Sequence, residues 1–392
     1  MTKNAASGLL PVGMSDMLPP FAAAEAEAAA RVVAVFDACG YQRVTPPLLE
    51  FEETLVGGDD GLSGRTFRVT DAVSGKIMGV RADMTPQIGR IAATRLKNAP
   101  RPLRLAYAGY VVRTFPDRLH SARQVLQVGA ELIGADCAKA DAEIVLTAAE
   151  ALERLGVESF VFDLNLPTLF PALCAACGIA GDDREKLTEV LNQKDFSAAL
   201  AILDTLGKKA RDQRPVFEAL FQAFGESGRA LDILRPLPLP DEAAAERARL
   251  VEVVSLLNAE KPDLNLTVDV LENRGFEYHR GVGFSIFSSR SDRELGRGGR
   301  YIAGTNVGAC EPAAGVTLFM ADILDVHNPD QNRERVYVPC GVPFAEAAKL
   351  RAQGFATVCG LRAGGGEEEA RRLGCGRIYT GGRVQPLQLT RS

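Results

Sequence analysis

No stretch of about 18 consecutive apolar residues occurs in this 392-residue chain, so the sequence offers no candidate for a membrane-spanning helix. The first residues, MTKNAASGLLPVG, lack the long apolar segment of a secretory signal. A cytoplasmic location and no membrane partner are therefore expected. Positive charge is not in excess: the net charge is -5 at pH 7 and the pI is about 5.5. That balance argues against a general nucleic-acid footprint, and no nucleic-acid partner is expected. Histidine is scarce. His120, His279 and His327 are too few and too scattered for a histidine-rich metal site. Cysteine lacks a pattern: Cys39, Cys137, Cys174, Cys177, Cys310, Cys340, Cys359 and Cys375 do not form a disulfide framework in so long a chain. Cys174 and Cys177 make one CxxC, in PALCAACGIAG, but no second CxxC or paired histidine follows to complete a zinc site. The thioredoxin-like context of a redox motif is also absent, so buried helical thiols are expected. No metal and no cofactor are predicted.

Composition is ordinary for a globular protein, and the length suits one large domain and a smaller one. Ala22 to Cys39 is alanine-rich with an apolar stripe of Val32, Val35 and Phe36, which predicts a helix ended by Gly40. Tyr41 to Val44 then runs extended into Pro46 and Pro47. Phe67 to Val69 and Ile77 to Arg81 read as a strand pair around the turn DAVSGK. Thr85 suits a helix N-cap and Pro86 the first turn, with Gln87 to Leu96 continuing the helix. Asp83 therefore stands at a strand-to-helix junction, where its carboxylate either faces a cavity or caps the helix.

Ala138 to Leu155 predicts a helix and Phe160 to Leu164 a strand. Residues 168 to 259 read as a mostly helical insertion without a chemical motif, and Leu264 to Val270 as a further strand. GRGGRY, Gly296 to Tyr301, lacks the lysine and threonine of a phosphate loop, and its glycines are expected to form a tight turn between strands. Pro312 to Asp325 begins as a glycine-containing strand and turns helical. After a polar linker, His327 to Arg335, residues 336 to 379 alternate strand, helix, strand, helix, strand. This predicts a small α/β unit of about 60 residues, near the lower limit for independent folding.

The stretch around which the rest is organised is Leu103 to Gly134, LRLAYAGYVVRTFPDRLHSARQVLQVGAELIG. It reads as two strands joined by a long polar loop. Leu126, Val128, Ala130 and Leu132 share one parity, and Gln127, Gly129 and Glu131 the other. Side chains alternate across a strand, so one face enters a core and the other is polar. That polar face either lines a site or meets solvent. Gly129 between Gln127 and Glu131 suggests room for a ligand against the backbone. Arg113, at the end of the first strand, stands where it could reach an anion.

These residues resemble the catalytic core of class II aminoacyl-tRNA synthetases, and of histidyl-tRNA synthetase in particular, over residues 8 to 326. GYQRVTPPLLE is similar to motif 1, the dimer-interface helix and strand. Arg113 through Glu131 resembles motif 2, RGFEYHRG the histidine-specific element, and GGRY with the following PAAG the approach to motif 3. The resemblance implies an α+β fold: an antiparallel sheet flanked by helices for residues 1 to 326, and a small C-terminal α/β unit for residues 327 to 392. It also implies a histidine pocket of Asp83, Thr85, Arg113, Gln127, Glu131, Arg274, Tyr278 and His279. Asp83 replaces the family's glutamate for the α-amino group, and His279 replaces the second of two tyrosines. Glu131 matches the residue that pairs with the imidazole.

The nucleotide side of the resemblance is depleted. Arg113 stands where the family's arginine binds the ATP α-phosphate. The following glutamate, which contacts adenine, is Phe115, a second arginine of the loop falls on Ser121, and the motif 3 arginine for the γ-phosphate falls on Asp322. Phosphoryl chemistry depends on positive charge around the phosphates, which an aspartate would repel. A synthetase core without its ATP site and with a shortened tail resembles the regulatory-subunit family of ATP phosphoribosyltransferase. That resemblance implies a non-catalytic protein that pairs with a short-form catalytic subunit as a homodimer within a hetero-octamer, and binds free histidine for feedback inhibition. The alternative it leaves is a divergent minimal histidyl-tRNA synthetase.

Overall fold

Strand-forming sequence concentrates in residues 103–133 and 279–319, and these two blocks pair to make the middle of a nine-stranded sheet. The computed structural model describes residues 9–56, 60–116, 122–272, 279–290, 293–304, 308–326 and 334–387. In chain order the strands are β1 (Gln42–Arg43), β2 (Leu49–Phe51), β3 (Phe67–Thr70), β4 (Ile77–Val80), β5 (Leu103–Val112), β6 (Gln124–Ile133), β7 (Phe160–Asn165), β8 (Phe224–Glu226), β9 (Leu266–Asp269), β10 (His279–Ser288), β11 (Glu294–Ala303) and β12 (Glu311–Phe319). The large sheet runs β1-β5-β6-β12-β11-β10-β7-β9-β8, and β2-β4-β3 form a separate three-stranded sheet. Pairing in the large sheet is antiparallel except at β1/β5 and β7/β9. This is the antiparallel sheet with flanking helices that the sequence led us to expect.

Alternation decides what each face does. The even positions of β6, Val128, Ala130 and Leu132, enter the main core with helix Phe21–Ala38, helix Ala138–Leu155 and helix Asp241–Glu260. Each buried Val, Leu or Phe side chain there stabilises the fold by roughly 1.5–3 kcal/mol. The odd positions of β5 and β6 face the other way. Leu103, Leu105, Tyr107 and Ile133 pack with Met84, Ile88 and Ala92 of the segment leading into and through helix Thr85–Thr94. Polar residues of β6 are therefore walled in rather than solvated: Gln127 and Glu131 are both buried.

Two local expectations are corrected. GRGGRY is not a turn but the middle of β11, paired on both sides. Its glycines serve close packing: a Cβ on Gly298 would collide with the Gly315 carbonyl and the Phe284 ring. The insertion also contains a strand, β8, which extends the sheet beside β9. Its helices otherwise follow the sequence reading, with Cys174 and Cys177 buried in helix Leu169–Cys177 and burial pushing the Cys174 thiol up to about 12.

The chain divides into two compact units, Met1–Met17 with Glu25–Asn328, and Leu18–Ala24 with Pro329–Ser392. The second contains β13 (Arg335–Val338), β14 (Ala356–Cys359), β15 (Arg377–Thr380) and β16 (Arg383–Pro386), in the order β14-β13-β15-β16. β13 lies parallel to β14 and β15, and β16 returns antiparallel. That last strand is absent from the sequence reading, although Gly381 and Gly382, at φ 59° and 78°, supply the left-handed pair that a two-residue hairpin turn requires.

One buried ion pair ties the central sheet to the helix beneath it. Arg300 on β11 lies 2.7 Å from Asp141 in helix Ala138–Leu155, with side chains only 7% and 4% exposed. Replacing Arg300 by Met leaves that carboxylate buried without its main counter-charge, and the unfolding free energy should fall by about 3–5 kcal/mol. Denaturant titration measures this, and a loss below about 1 kcal/mol would contradict the assignment.

Candidate functional site

Cross-strand register assembles the site. Glu131 on β6 stands opposite Leu105 on β5 and Gly315 on β12, and Gly129 stands between Tyr107 and Thr317. Partners directly opposite share a face, so these side chains project together. Gly315 has no side chain because the Glu131 carboxyl lies over it, where a Cβ would overlap its oxygens. The same test corrects the reading of Gly129. A Cβ there would strike the Tyr107 phenol, so the space belongs to that ring and not to an incoming ligand.

Around Glu131 the polar groups form a connected set. Thr85 donates its hydroxyl to Oε1 at 2.9 Å, Tyr107 donates to the same oxygen at 3.3 Å, and Tyr301 on β11 donates to Oε2 at 2.9 Å. The Tyr107 hydroxyl also meets Thr317 Oγ1 at 2.8 Å. On the same face, Gln127 reads the entry to helix Thr85–Thr94. Its Oε1 accepts the Met84 N–H at 3.1 Å and its Nε2 donates to Asp83 Oδ2 at 3.0 Å. The other Asp83 oxygen accepts the Thr85 N–H at 2.8 Å. Asp83 is thus not the helix N-cap; its carboxylate bridges the Thr85 N–H and the Gln127 amide, tying the helix start to β6. The N-cap itself is Met84, one residue before the expected Thr85, and Thr85 spends its hydroxyl on Glu131 instead of on the helix end.

Electrostatics single out Glu131. Burial pushes its carboxyl up to about 8, with the Asp83 carboxylate adding to the shift and the hydroxyls of Tyr301, Thr85 and Tyr107 opposing it. Burial wins because the hydroxyl bonds, though they favour the anion, supply no counter-charge to offset the loss of water.

Of the eight residues proposed from the sequence, Asp83, Thr85, Gln127 and Glu131 form this set. Arg113 lies beside it: its Nε is 3.4 Å from the Ala82 carbonyl, under the segment that carries Asp83. His279 opens β10 opposite Tyr301, buried, with its ring over Gly299. Arg274 and Tyr278 lie outside the described residues, as does Ser121. Phe115 is 68% exposed. Asp322 is buried near the start of helix Met320–Val326, 3.3 Å from an Arg293 guanidinium nitrogen. Sequence reasoning missed Tyr107, Tyr301 and Thr317. The alternation of LRLAYAGY against LQVGAELI already places a tyrosine opposite Gly129, and that was the available signal. It also missed a second feature of this face. Arg297, opposite Thr317 on β11, is held at 2.9 and 2.6 Å by both oxygens of Glu294, and Ser285 donates to the same carboxylate at 3.0 Å. A bulge between Ile286 and Phe287 in the β10/β11 pairing brings Glu294 to that face.

The raised pKa of Glu131 has a consequence for stability. As pH rises, the unfolded chain gives up this proton near the ordinary value of 4.5, whereas the folded chain keeps it until about 8. The folded state is therefore favoured most below the unfolded value, and that advantage is lost progressively as pH rises through 8. Glu131→Gln cannot titrate. Its unfolding free energy should decline less between roughly pH 5 and 8 than that of the wild type, by an amount on the order of a few kcal/mol. Urea unfolding across that range measures it, and parallel profiles would contradict the proposed cause.

Comparison with known proteins adds identity to this geometry. A family model described as histidyl-tRNA synthetase matches residues 13–323. A relative from Paramagnetospirillum magneticum named ATP phosphoribosyltransferase regulatory subunit is 48% identical over 377 residues, covering 96% of this chain and 97% of that one. A relative of the same name from Rhodospirillum centenum is 44% identical, with 97% and 96% covered. Among solved structures, an ATP phosphoribosyltransferase regulatory subunit/histidyl-tRNA synthetase from Bacillus halodurans C superposes with a TM-score of 0.82 at 24% identity, over 96% of this chain and 99% of that one. Histidyl-tRNA synthetase from Nostoc gives 0.78 at 17% identity, over 95% and 90%. The architecture is thus that of the class II synthetase core, and by sequence the chain belongs to the ATP phosphoribosyltransferase regulatory subunits, a family built on the histidyl-tRNA synthetase body.

Proposed function

We propose that the chain is the non-catalytic partner of a short-form ATP phosphoribosyltransferase: it activates the catalytic subunit and conveys feedback inhibition by histidine, in the first step of histidine biosynthesis, in the cytoplasm. The observation that carries this reading is the contrast between the two halves of the site. Asp83, Thr85, Gln127 and Glu131 stand as one hydrogen-bonded set. The position where the synthetase family places a phosphate-binding arginine holds instead a buried aspartate paired with Arg293.

A free histidine offers an ammonium, a carboxylate and an imidazole. In this proposal Asp83 receives the ammonium, Arg274 the carboxylate and Glu131 the ring, and Tyr278, His279 and Arg113 are the further histidine-binding residues. Binding regulates only if histidine favours one state of the complex over another. The 327–392 unit takes the place of the larger anticodon-binding domain of synthetases. A divergent histidyl-tRNA synthetase would need cations where the γ-phosphate lies, and Asp322 opposes that.

Three outcomes follow. The purified protein should catalyse histidine-dependent ATP–pyrophosphate exchange no faster than background, and robust exchange would replace the regulatory reading with the synthetase one. Glu131→Gln should weaken histidine binding on the order of 10- to 100-fold in calorimetry, the loss of a charge-assisted hydrogen bond worth about 1.5–3 kcal/mol. It should also raise the histidine concentration needed to inhibit the reconstituted complex, while unchanged binding and inhibition would move the histidine site elsewhere. Finally, the isolated chain should be a homodimer by light scattering through its motif 1 helix and strand, and a monomer at micromolar concentration would count against the assembly.

A further inference from the structure

Glu131 is caged by hydroxyls. Thr85 comes from the start of helix Thr85–Thr94, Tyr107 from β5 and Tyr301 from β11, with Thr317 from β12 bonded to Tyr107. A hydroxyl differs from a backbone N–H or a guanidinium in one respect: it can donate to a carboxylate and, by rotating, accept from a carboxyl. The cage therefore suits either protonation state of Glu131 without moving a heavy atom. Among the described residues, the other groups around it are these. Asp83, ahead of the same helix, carries the same sign as an ionised Glu131 and bonds to Gln127, four residues back along β6. Leu105 and Gly315, its direct neighbours on β5 and β12, carry no charge. His279 stands opposite Tyr301 on β10. Of the nearby arginines, Arg297 is held by Glu294, and Arg113 bonds to the Ala82 carbonyl.

We propose that the empty pocket stores one proton on the Glu131 carboxyl and that binding passes it to the ring nitrogen of a neutral azole, so that the pocket takes the free base of its ligand rather than the preformed cation. This rests on the reading of the cluster as a histidine pocket and adds which protonation form it recognises. In the step, the Glu131 O–H bond breaks, its electron pair stays on the carboxylate, and an N–H bond forms on the basic ring nitrogen. One proton is shared before and after, and net charge does not change. The product is a carboxylate–imidazolium pair, held by a charge-assisted hydrogen bond and by the three hydroxyls, which then all donate. Burial holds the empty carboxyl's proton up to about 8. Imidazole takes one at about 6.5 in water. The two lie close enough for the attraction within the pair to complete the transfer. Histidine affinity should consequently be highest between these two values. It should fall in acid, where the ligand arrives already charged and one proton must be expelled, and in base, where both partners have lost theirs.

The test is isothermal titration of the full-length wild-type protein with L-histidine in buffers of low and high ionisation enthalpy, which counts protons exchanged per ligand bound. The expected result is close to zero at pH 7.2 and a release of about 0.9 proton at pH 5.5, from the usual imidazole value. If Glu131 is already ionised in the empty pocket, binding must instead take up about 0.8 proton at pH 7.2 and about 0.1 at pH 5.5. That result overturns the proton inference and leaves the histidine pocket standing. Absence of any binding heat with L-histidine at either pH, together with no shift of the thermal midpoint, overturns the pocket reading and this inference with it.

Discussion

A carboxyl group at the centre of a nine-stranded sheet has no water to turn to, and its neighbours must be chosen around it. Leaving such a group without partners costs several kcal/mol in an apolar interior. Much of the local design around Glu131 follows from that constraint. The facing strand carries Gly315 so that the carboxyl has room, and Gly129 has no side chain so that the Tyr107 ring can reach across. The helix that closes this face begins with Thr85 at the point where its hydroxyl meets the carboxyl. Gln127, four residues back on the same face of β6, fixes that helix start by bonding both Met84 and Asp83. The result is a preorganised polar cluster whose parts come from five separate stretches of chain.

Elsewhere in the sheet and in the helix that follows β12, cations are answered by carboxylates of the chain itself. Arg297 is clasped by Glu294, and Arg293 spans Asp322 and Asp325. On the reading proposed above, the cluster around Glu131 receives an amino acid and the chain acts as a sensor and not as a catalyst. The family to which the chain belongs carries a regulatory name in its curated relatives.

The sequence exposed a good part of this arrangement. Strict alternation in VLQVGAELI placed Gln127 and Glu131 on one face, because a period of two survives any error in strand ends. Helix Ala138–Leu155 was found to the residue, since an amphipathic pattern bounded by Gly156 leaves little choice. GRGGRY was misread because glycine is a turn residue by propensity, and only the partner strand shows that Gly298 is there to admit the Gly315 carbonyl and Phe284. Thr85 was misread as a cap for a similar reason: its hydroxyl has two uses, and the competing one lies 46 residues away on β6. Tyr107 and Tyr301 went unnoticed because buried tyrosine is usually core. What sets them apart here is the carboxyl they reach, and that is a fact of register and not of either strand alone.

The central claim is that a synthetase-like pocket has become the histidine sensor of a partner enzyme. The measurement that tests it most directly is ATP phosphoribosyltransferase activity of a short-form catalytic subunit, assayed with and without this chain while histidine is varied. The account predicts little activity from the catalytic subunit alone, a large gain when this chain is added, and suppression of that gain by histidine. A catalytic subunit that is equally active and equally inhibited in the absence of this chain would contradict it.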